Sequence, residues 1–196
     1  MIRKTLAILG LSAAFALPLT AQESAAPADQ MIGPIVGSEA PAATVTTADG
    51  TETTLAALAG ENGTAIAFVR SLDWCPYCKK QAGELEAAKT PLEEAGWSLV
   101  ALSYDAPETL NAFADKAGIT YSMVSDEASD VIRAYGLLNE EMKEGSRYYG
   151  IPHPAIIFVR TDGTVAAVLR EEGYKDRPPV EVVTETATLL NEAAGS

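Results

Sequence analysis

Two stretches of the chain run almost without polar interruption, Thr64 to Val69 (TAIAFV) and Trp97 to Leu102 (WSLVAL). Runs of this length without alternation predict strands covered on both faces at the centre of a sheet. Between them, Leu85, Ala88 and Leu92 recur at helical spacing, so a helix starting near Cys75 should join the two strands. Gly96 closes it, and Pro91 is expected to kink or restart it. Asp105 reads as the cap of a second helix, with Pro107 in its first turn and Glu108 three residues on. Leu110, Phe113, Ala114 and Ala117 give that helix its core face. A short strand is expected over Tyr121 to Val124, then a short helix from Ser129 to Tyr135 that Gly136 ends. Residues 139–150 are polar and read as a loop. Apolar runs return at Ala155 to Val159 and Val165 to Leu169, paired around Thr161-Asp162-Gly163. Pro178-Pro179 opens a last helix, with Val182, Thr186, Leu189 and Leu190 expected inward. Ahead of all these, Val45 to Thr53 alternates around Asp49-Gly50, a hairpin signal. Leu55, Ala56 and Leu58 then suggest a short helical turn.

Strands alternating with helices imply an α/β fold with a parallel central sheet and right-handed crossovers. The last strand pair should add an antiparallel edge, and helices should cover both faces.

Composition narrows the class. Apolar residues make up 47% of the 196 and charged residues 21%, a globular balance that argues for one domain. Asp and Glu outnumber Lys and Arg 27 to 14, for a formal net charge of -13. An acidic chain gains nothing from counterion release, so nucleic acid is excluded as a partner. An anionic membrane surface would repel it. Contact with a membrane is expected only through the N-terminal segment. There Arg3 and Lys4 precede the uncharged run Thr5 to Leu19, and Leu19-Thr20-Ala21 offers a cleavage point. Residues 1–21 are therefore expected to be a signal peptide, the alternative being a retained anchor. Residues 22–36 (QESAAPADQMIGPIV) read as a mobile leader and 37–196 as the folded domain. The implied location is the periplasm or the exterior, where a Cys pair can oxidise.

The chain has 2 Cys and 1 His. Cys75 and Cys78 fall where a buried strand gives way to a helix. Backbone N–H groups and the dipole at a helix N-terminus favour a thiolate there, which is the nucleophilic form. Cys78 lies one turn further in, able to resolve a mixed disulfide formed at Cys75. The expected division of labour is thus Cys75 as acidic nucleophile and Cys78 as shielded resolving thiol. Pro76 suits the first helical turn; Trp74 and Tyr77 flank the pair as supporting residues. An inert bridge is the weaker reading, because so small a loop constrains the unfolded chain little. Structural zinc wants four ligands, more than these residues supply. No Gly-rich dinucleotide fingerprint is present, so no dissociable cofactor is expected.

With this strand before it, Trp74-Cys-Pro-Tyr-Cys78 resembles the active site of the thioredoxin superfamily. The resemblance covers roughly residues 37 to 193. It implies a thioredoxin-like fold, a central mixed sheet flanked by helices, with an N-terminal β-hairpin. It also implies a cis-proline facing the Cys pair, at Pro154 ahead of the strand Ala155 to Val159, with Pro152 a competing position that the spacing to Asp162-Gly163 disfavours. Gly37-Ser-Glu-Ala-Pro41, Asp49-Gly50, Ser103-Tyr104-Asp105 and Val124-Ser125-Asp126 are similar to the redoxin branch, the alkyl hydroperoxide reductase and thiol-specific antioxidant group. Peroxiredoxins of that branch carry Pro seven and Thr or Ser three residues before the peroxide-attacking Cys. Phe68 and Leu72 stand there in this chain, and Pro154 stands where their active-site Arg falls. Arg70 is a candidate substitute. Thioredoxins bury an acid where this chain has Val69.

His153, directly before Pro154, admits three readings: a satisfied loop residue, a cation that lowers the Cys75 pKa, or the third ligand of a Cu(I) site with Cys75 and Cys78. The leading function expected is an exported thiol–disulfide oxidoreductase acting on protein or small thiols, or on a membrane-derived electron donor. A peroxiredoxin-like thiol peroxidase with an antioxidant role is the alternative, with peroxidase activity expected to be weak because of Leu72 and Pro154. A Cu(I)-delivery protein is the third.

Overall fold

A computed structural model describes residues 32–173 and 175–195. The expected signal segment 1–21 and most of the leader 22–36 lie outside them. What is described of that leader is tied down: the Gly33 N–H donates to Gly136 O at 3.0 Å, and Ile32 packs partly buried against the core.

The elements in chain order are β1 (Thr44–Thr47), β2 (Glu52–Thr54), a 3-10 turn (Leu55–Leu58), β3 (Gly63–Phe68), α1 (Pro76–Glu94), β4 (Trp97–Ser103), α2 (Pro107–Ala117), β5 (Ser122–Ser125), α3 (Asp130–Ala134), β6 (Ala155–Arg160), β7 (Val165–Leu169) and α4 (Val180–Ala194). The strands form one seven-stranded sheet in the order β2-β1-β5-β4-β3-β6-β7. β3, β4 and β5 are mutually parallel, with β6 antiparallel to β3 and β7 antiparallel to β6. The N-terminal hairpin joins the same sheet, β1 pairing antiparallel with β5. The chain is thus a thioredoxin-like α/β domain with a mixed sheet.

Every residue of β3 is buried, as its unbroken apolar run requires. Alternate side chains serve opposite faces. Ala65, Ala67, Leu99, Ala101, Ile156 and Phe158 pack with Leu85, Ala88 and Leu92 of α1, Leu110 of α2 and Val183 of α4. Ile66, Phe68, Val100, Leu102 and Ile157 pack with Leu55 and with Val131 and Ile132 of α3. Gly63 begins β3 where no side chain fits: a Cβ would lie 2.1 Å from Val159 O and 2.7 Å from the Trp97 ring.

Four expectations are corrected. α1 continues as one helix through Pro91 instead of restarting there; Pro91 and Ala87, whose carbonyl loses its N–H partner, are both exposed, so water can serve that carbonyl. Asp105 does not cap α2; Ala106 is the N-cap and makes no side-chain bond there. In α4 the buried stripe is Val183 and Ala187, whereas Val182 and Leu189 are exposed. The helix packs against α1, and small Ala187 faces inward. No peptide bond among the described residues is cis, so Pro154 is trans. Its segment is already held extended: Pro152 bridges Leu138, and the His153 N–H donates to Leu137 O at 2.6 Å.

Candidate active site at the start of helix α1

β3 ends at Phe68, and seven residues carry the chain to the first turn of α1. Cys75 is the N-cap, its backbone still extended (φ -91°, ψ 105°), and Pro76 follows at the first helical position, where a missing N–H is harmless. The Cys75 Sγ takes the place of a capping oxygen and accepts the Cys78 N–H at 3.2 Å. Cys75 and Cys78 are joined as a disulfide, their Cα atoms 5.3 Å apart. Both are almost fully buried, at 1% and 0% exposure, so Cys75 is scarcely less shielded than Cys78 in the oxidised protein. The local chain covers both sulfurs once they bond.

The loop ahead of Cys75 is fixed by a carboxylate from the turn that follows β4. Asp105 accepts the Ser71 hydroxyl at 2.7 Å, the Leu72 N–H at 2.6 Å and the Ser103 hydroxyl at 2.9 Å. Ser71 Oγ in turn accepts the Asp73 and Trp74 N–H groups at 3.0 and 3.3 Å. This is the work that Asp105 does in place of helix capping, and Asp73 itself stays exposed.

Trp74 packs partly buried against the core cluster that includes Cys75 and Cys78, in a box the sequence did not reveal. Its Nε1–H donates to Tyr104 Oη at 2.9 Å, and Tyr104 Oη donates to Arg147 O at 2.8 Å. Burial raises the Tyr104 pKa in spite of the bond from Trp74, so the phenol stays protonated and able to donate. Tyr148 meets the indole edge-on at 4.7 Å, with the Arg70 and Arg147 guanidiniums 5.3 and 5.9 Å from its centroid. Tyr77 lies on the other side, partly exposed, lining a groove of 740 Å³ between α1 and residues 175–181.

His153 is half-buried ahead of β6. Burial lowers its pKa, the Arg170 and Arg70 charges add to the fall, and Glu141 and Glu140 oppose it. In the oxidised protein these surroundings favour the neutral imidazole, whereas tuning of the thiol calls for an imidazolium. Among the described residues no group of three or more His, Cys, Asp or Glu is placed to hold a metal ion. The trio Cys75, Cys78 and His153 does not form such a group while the two Cys are bonded to each other.

A further site residue escaped the sequence reading. Arg177, between β7 and α4, donates from Nη2 to Cys78 Sγ at 3.5 Å and from Nε to Gln81 Oε1 at 2.8 Å. Gln81 is itself buried, at 3% exposure. Burial lowers the Arg177 pKa, and Arg70 adds to that effect, which places the two guanidiniums within electrostatic reach of each other. No local motif marks Arg177; Gln81, buried on a helix face with a polar amide, was the one available hint.

The model of the AhpC/TSA family matches residues 36–168. Peroxiredoxin Bcp from Escherichia coli is 28% identical over 132 residues, spanning 67% of this chain and 83% of that protein. Two solved structures share the fold. Peroxidoxin BcpB from Mycobacterium tuberculosis superposes with a TM-score of 0.68 at 19% identity, covering 84% of this chain and 99% of that one. A peroxiredoxin-like protein from Aquifex aeolicus gives a TM-score of 0.67 at 24% identity, covering 81% and 90%.

Proposed function

The chain belongs to the AhpC/TSA family and is an oxidoreductase, and from that premise we propose that it is a two-thiol peroxidase. Cys75 reacts with peroxide and Cys78 closes the disulfide. The observation that carries this reading is the near-complete burial of a bonded Cys pair at a helix N-terminus. A site so enclosed admits a small peroxide far more readily than the disulfide of a folded protein.

In the reduced state the N-terminal N–H groups of α1 stabilise the Cys75 thiolate. The thiolate attacks one peroxide oxygen and the O–O bond breaks. The departing alkoxide or hydroxide takes up a proton, and Cys75 is left as a sulfenic acid. Cys78 then attacks the Cys75 sulfur, the S–O bond breaks, and water leaves as the disulfide forms. An external thiol reductant must restore the dithiol. Arg177 supplies positive charge at the Cys78 sulfur. Leu72 supplies no hydroxyl, and a pre-organised donor of that kind is worth roughly a factor of 10². We propose further that residues 1–21 export the protein, which fractionation of cells expressing the full chain would check.

The mechanism is tested with Cys78→Ser and Cys75→Ser proteins, one equivalent of hydrogen peroxide, and a sulfenate-trapping dione read by mass spectrometry. Cys78→Ser should accumulate the adduct at Cys75, and Cys75→Ser should neither form it nor consume peroxide. Peroxide consumption that survives Cys75→Ser would overturn the assignment.

A further inference from the structure

The local helix explains one of the two sulfurs only. The N–H of Cys78 is committed to the Cys75 Sγ, so although Cys78 lies in the first turn of α1, it is the Cys75 sulfur that caps the helix end. The donor that reaches the Cys78 Sγ comes from Arg177, 99 residues further along the chain. Its guanidinium is aimed: Gln81, one turn beyond Cys78 and buried, accepts its Nε–H, and Asp176 O accepts from Nη1 at 2.6 Å. Pro178 and Pro179 follow directly, restricting the backbone that carries it.

We propose that Arg177 is the positioning residue for Cys78, holding it as a thiolate so that it attacks when the disulfide closes and departs when a reductant opens it. The closing step rests on the peroxidase reading; the opening step needs only a thiol. A guanidinium stays charged across the physiological range and forms charge-assisted bonds to an anion. In closing, the Cys78 thiolate attacks the Cys75 sulfenic acid, and the hydroxide that leaves takes a proton from solvent. In opening, a reductant thiolate attacks the Cys75 Sγ and the S–S bond breaks. Cys78 keeps the electron pair beside Arg177, and a second reductant thiol releases Cys75, with the two reductant thiols oxidised to a disulfide. Attack at Cys75 is favoured because it leaves the charge on the sulfur that Arg177 stabilises, and a stabilised thiolate leaves faster.

The groups whose charge bears on the Cys78 titration are Arg177 at the sulfur, and Arg70 and Asp176, both acting on Arg177. On the exposed first turn of α1, the Lys79 ammonium is held by Asp73 O.

The decisive measurement is the pH dependence of Cys78 alkylation in the Cys75→Ser protein, with and without Arg177→Gln. Removing the guanidinium should raise the alkylation midpoint by about one pH unit. Arg177→Lys should recover most of that shift. Gln81→Ala, which loosens the guanidinium without removing it, should give a smaller rise and provides the answer should Arg177→Gln fold poorly. In the otherwise wild-type chain, Arg177→Gln should slow opening of the disulfide by dithiothreitol roughly tenfold. An alkylation midpoint that Arg177→Gln leaves in place would overturn the proposal, whatever the opening rate. Dithiothreitol opening and alkylation involve no peroxide, so their outcome is separate from that of the sulfenate-trapping experiment.

Discussion

The two ends of the Cys75–Cys78 bridge are supported by different kinds of structure. Cys75 is served by its own neighbourhood: the strand that delivers it, the helix it caps, and a seven-residue loop pinned by Asp105. Cys78 is served by a side chain from the far end of the sequence, turned toward it by Gln81. Sulfurs three residues apart therefore depend on separate parts of the molecule. Mutations in the β3–α1 loop should disturb the attacking thiol, and mutations between β7 and α4 the resolving one.

The largest effect that separates these halves should come from Asp105→Ala. It leaves the Ser71 hydroxyl, the Leu72 N–H and the Ser103 hydroxyl without their buried acceptor. At about 1–3 kcal/mol for each stranded donor, the loss of stability should exceed about 3 kcal/mol. Urea unfolding measures it, and a loss below about 1 kcal/mol would mean that water replaces the carboxylate easily. Cys75 reactivity should fall more than that of Cys78 at a urea concentration where the variant is still folded.

Tyr104→Phe acts on the same half more gently. It strands the Trp74 Nε1–H and the Arg147 carbonyl, both partners of the phenol oxygen, for a cost of about 1–2 kcal/mol. Unchanged unfolding would show that the Trp74 box contributes packing alone.

A smaller effect is expected from pH. The folded-state pKa of His153 is depressed by burial and by Arg170, so the unfolded chain binds this proton first as pH falls. Its contribution to stability is therefore present above the unfolded value of about 6.5 and is lost on acidification below it. Unfolding free energy should decline as pH drops from 7 to 5, and His153→Gln should flatten that decline. A wild-type protein that gains stability over the same window would refute the sign.

Most of the fold was legible because its signals are local. The buried strands β3 and β4 announced themselves as uninterrupted apolar runs, and Asp49-Gly50 marked the first hairpin. The reach of the Cys pair followed from two positions at a helix start. The misreadings share a cause, competition from distant partners. Asp105 stands in a capping pattern, but the β3–α1 loop claims its carboxylate first. Val182 and Leu189 form an apolar stripe on α4, yet the neighbouring stripe at Val183 and Ala187 meets α1. Pro154 looked like a cis-proline by position, whereas hydrogen bonding at His153 holds that segment extended with a trans bond. Arg177 carried no local signal at all, since its meaning lies in where the sheet and α4 place it.

The central claim, that Cys75 is a peroxide-reacting thiol, is tested most directly by oxidant competition on the reduced wild-type protein. Stopped-flow rates of Cys75–Cys78 oxidation would be compared for hydrogen peroxide and for a small disulfide, each relative to free cysteine at equal thiolate fraction. The account predicts that the protein reacts with peroxide faster than free cysteine does and favours peroxide over the disulfide. A peroxide rate equal to that of free cysteine, together with faster oxidation by the disulfide, would contradict it and return the protein to thiol–disulfide exchange.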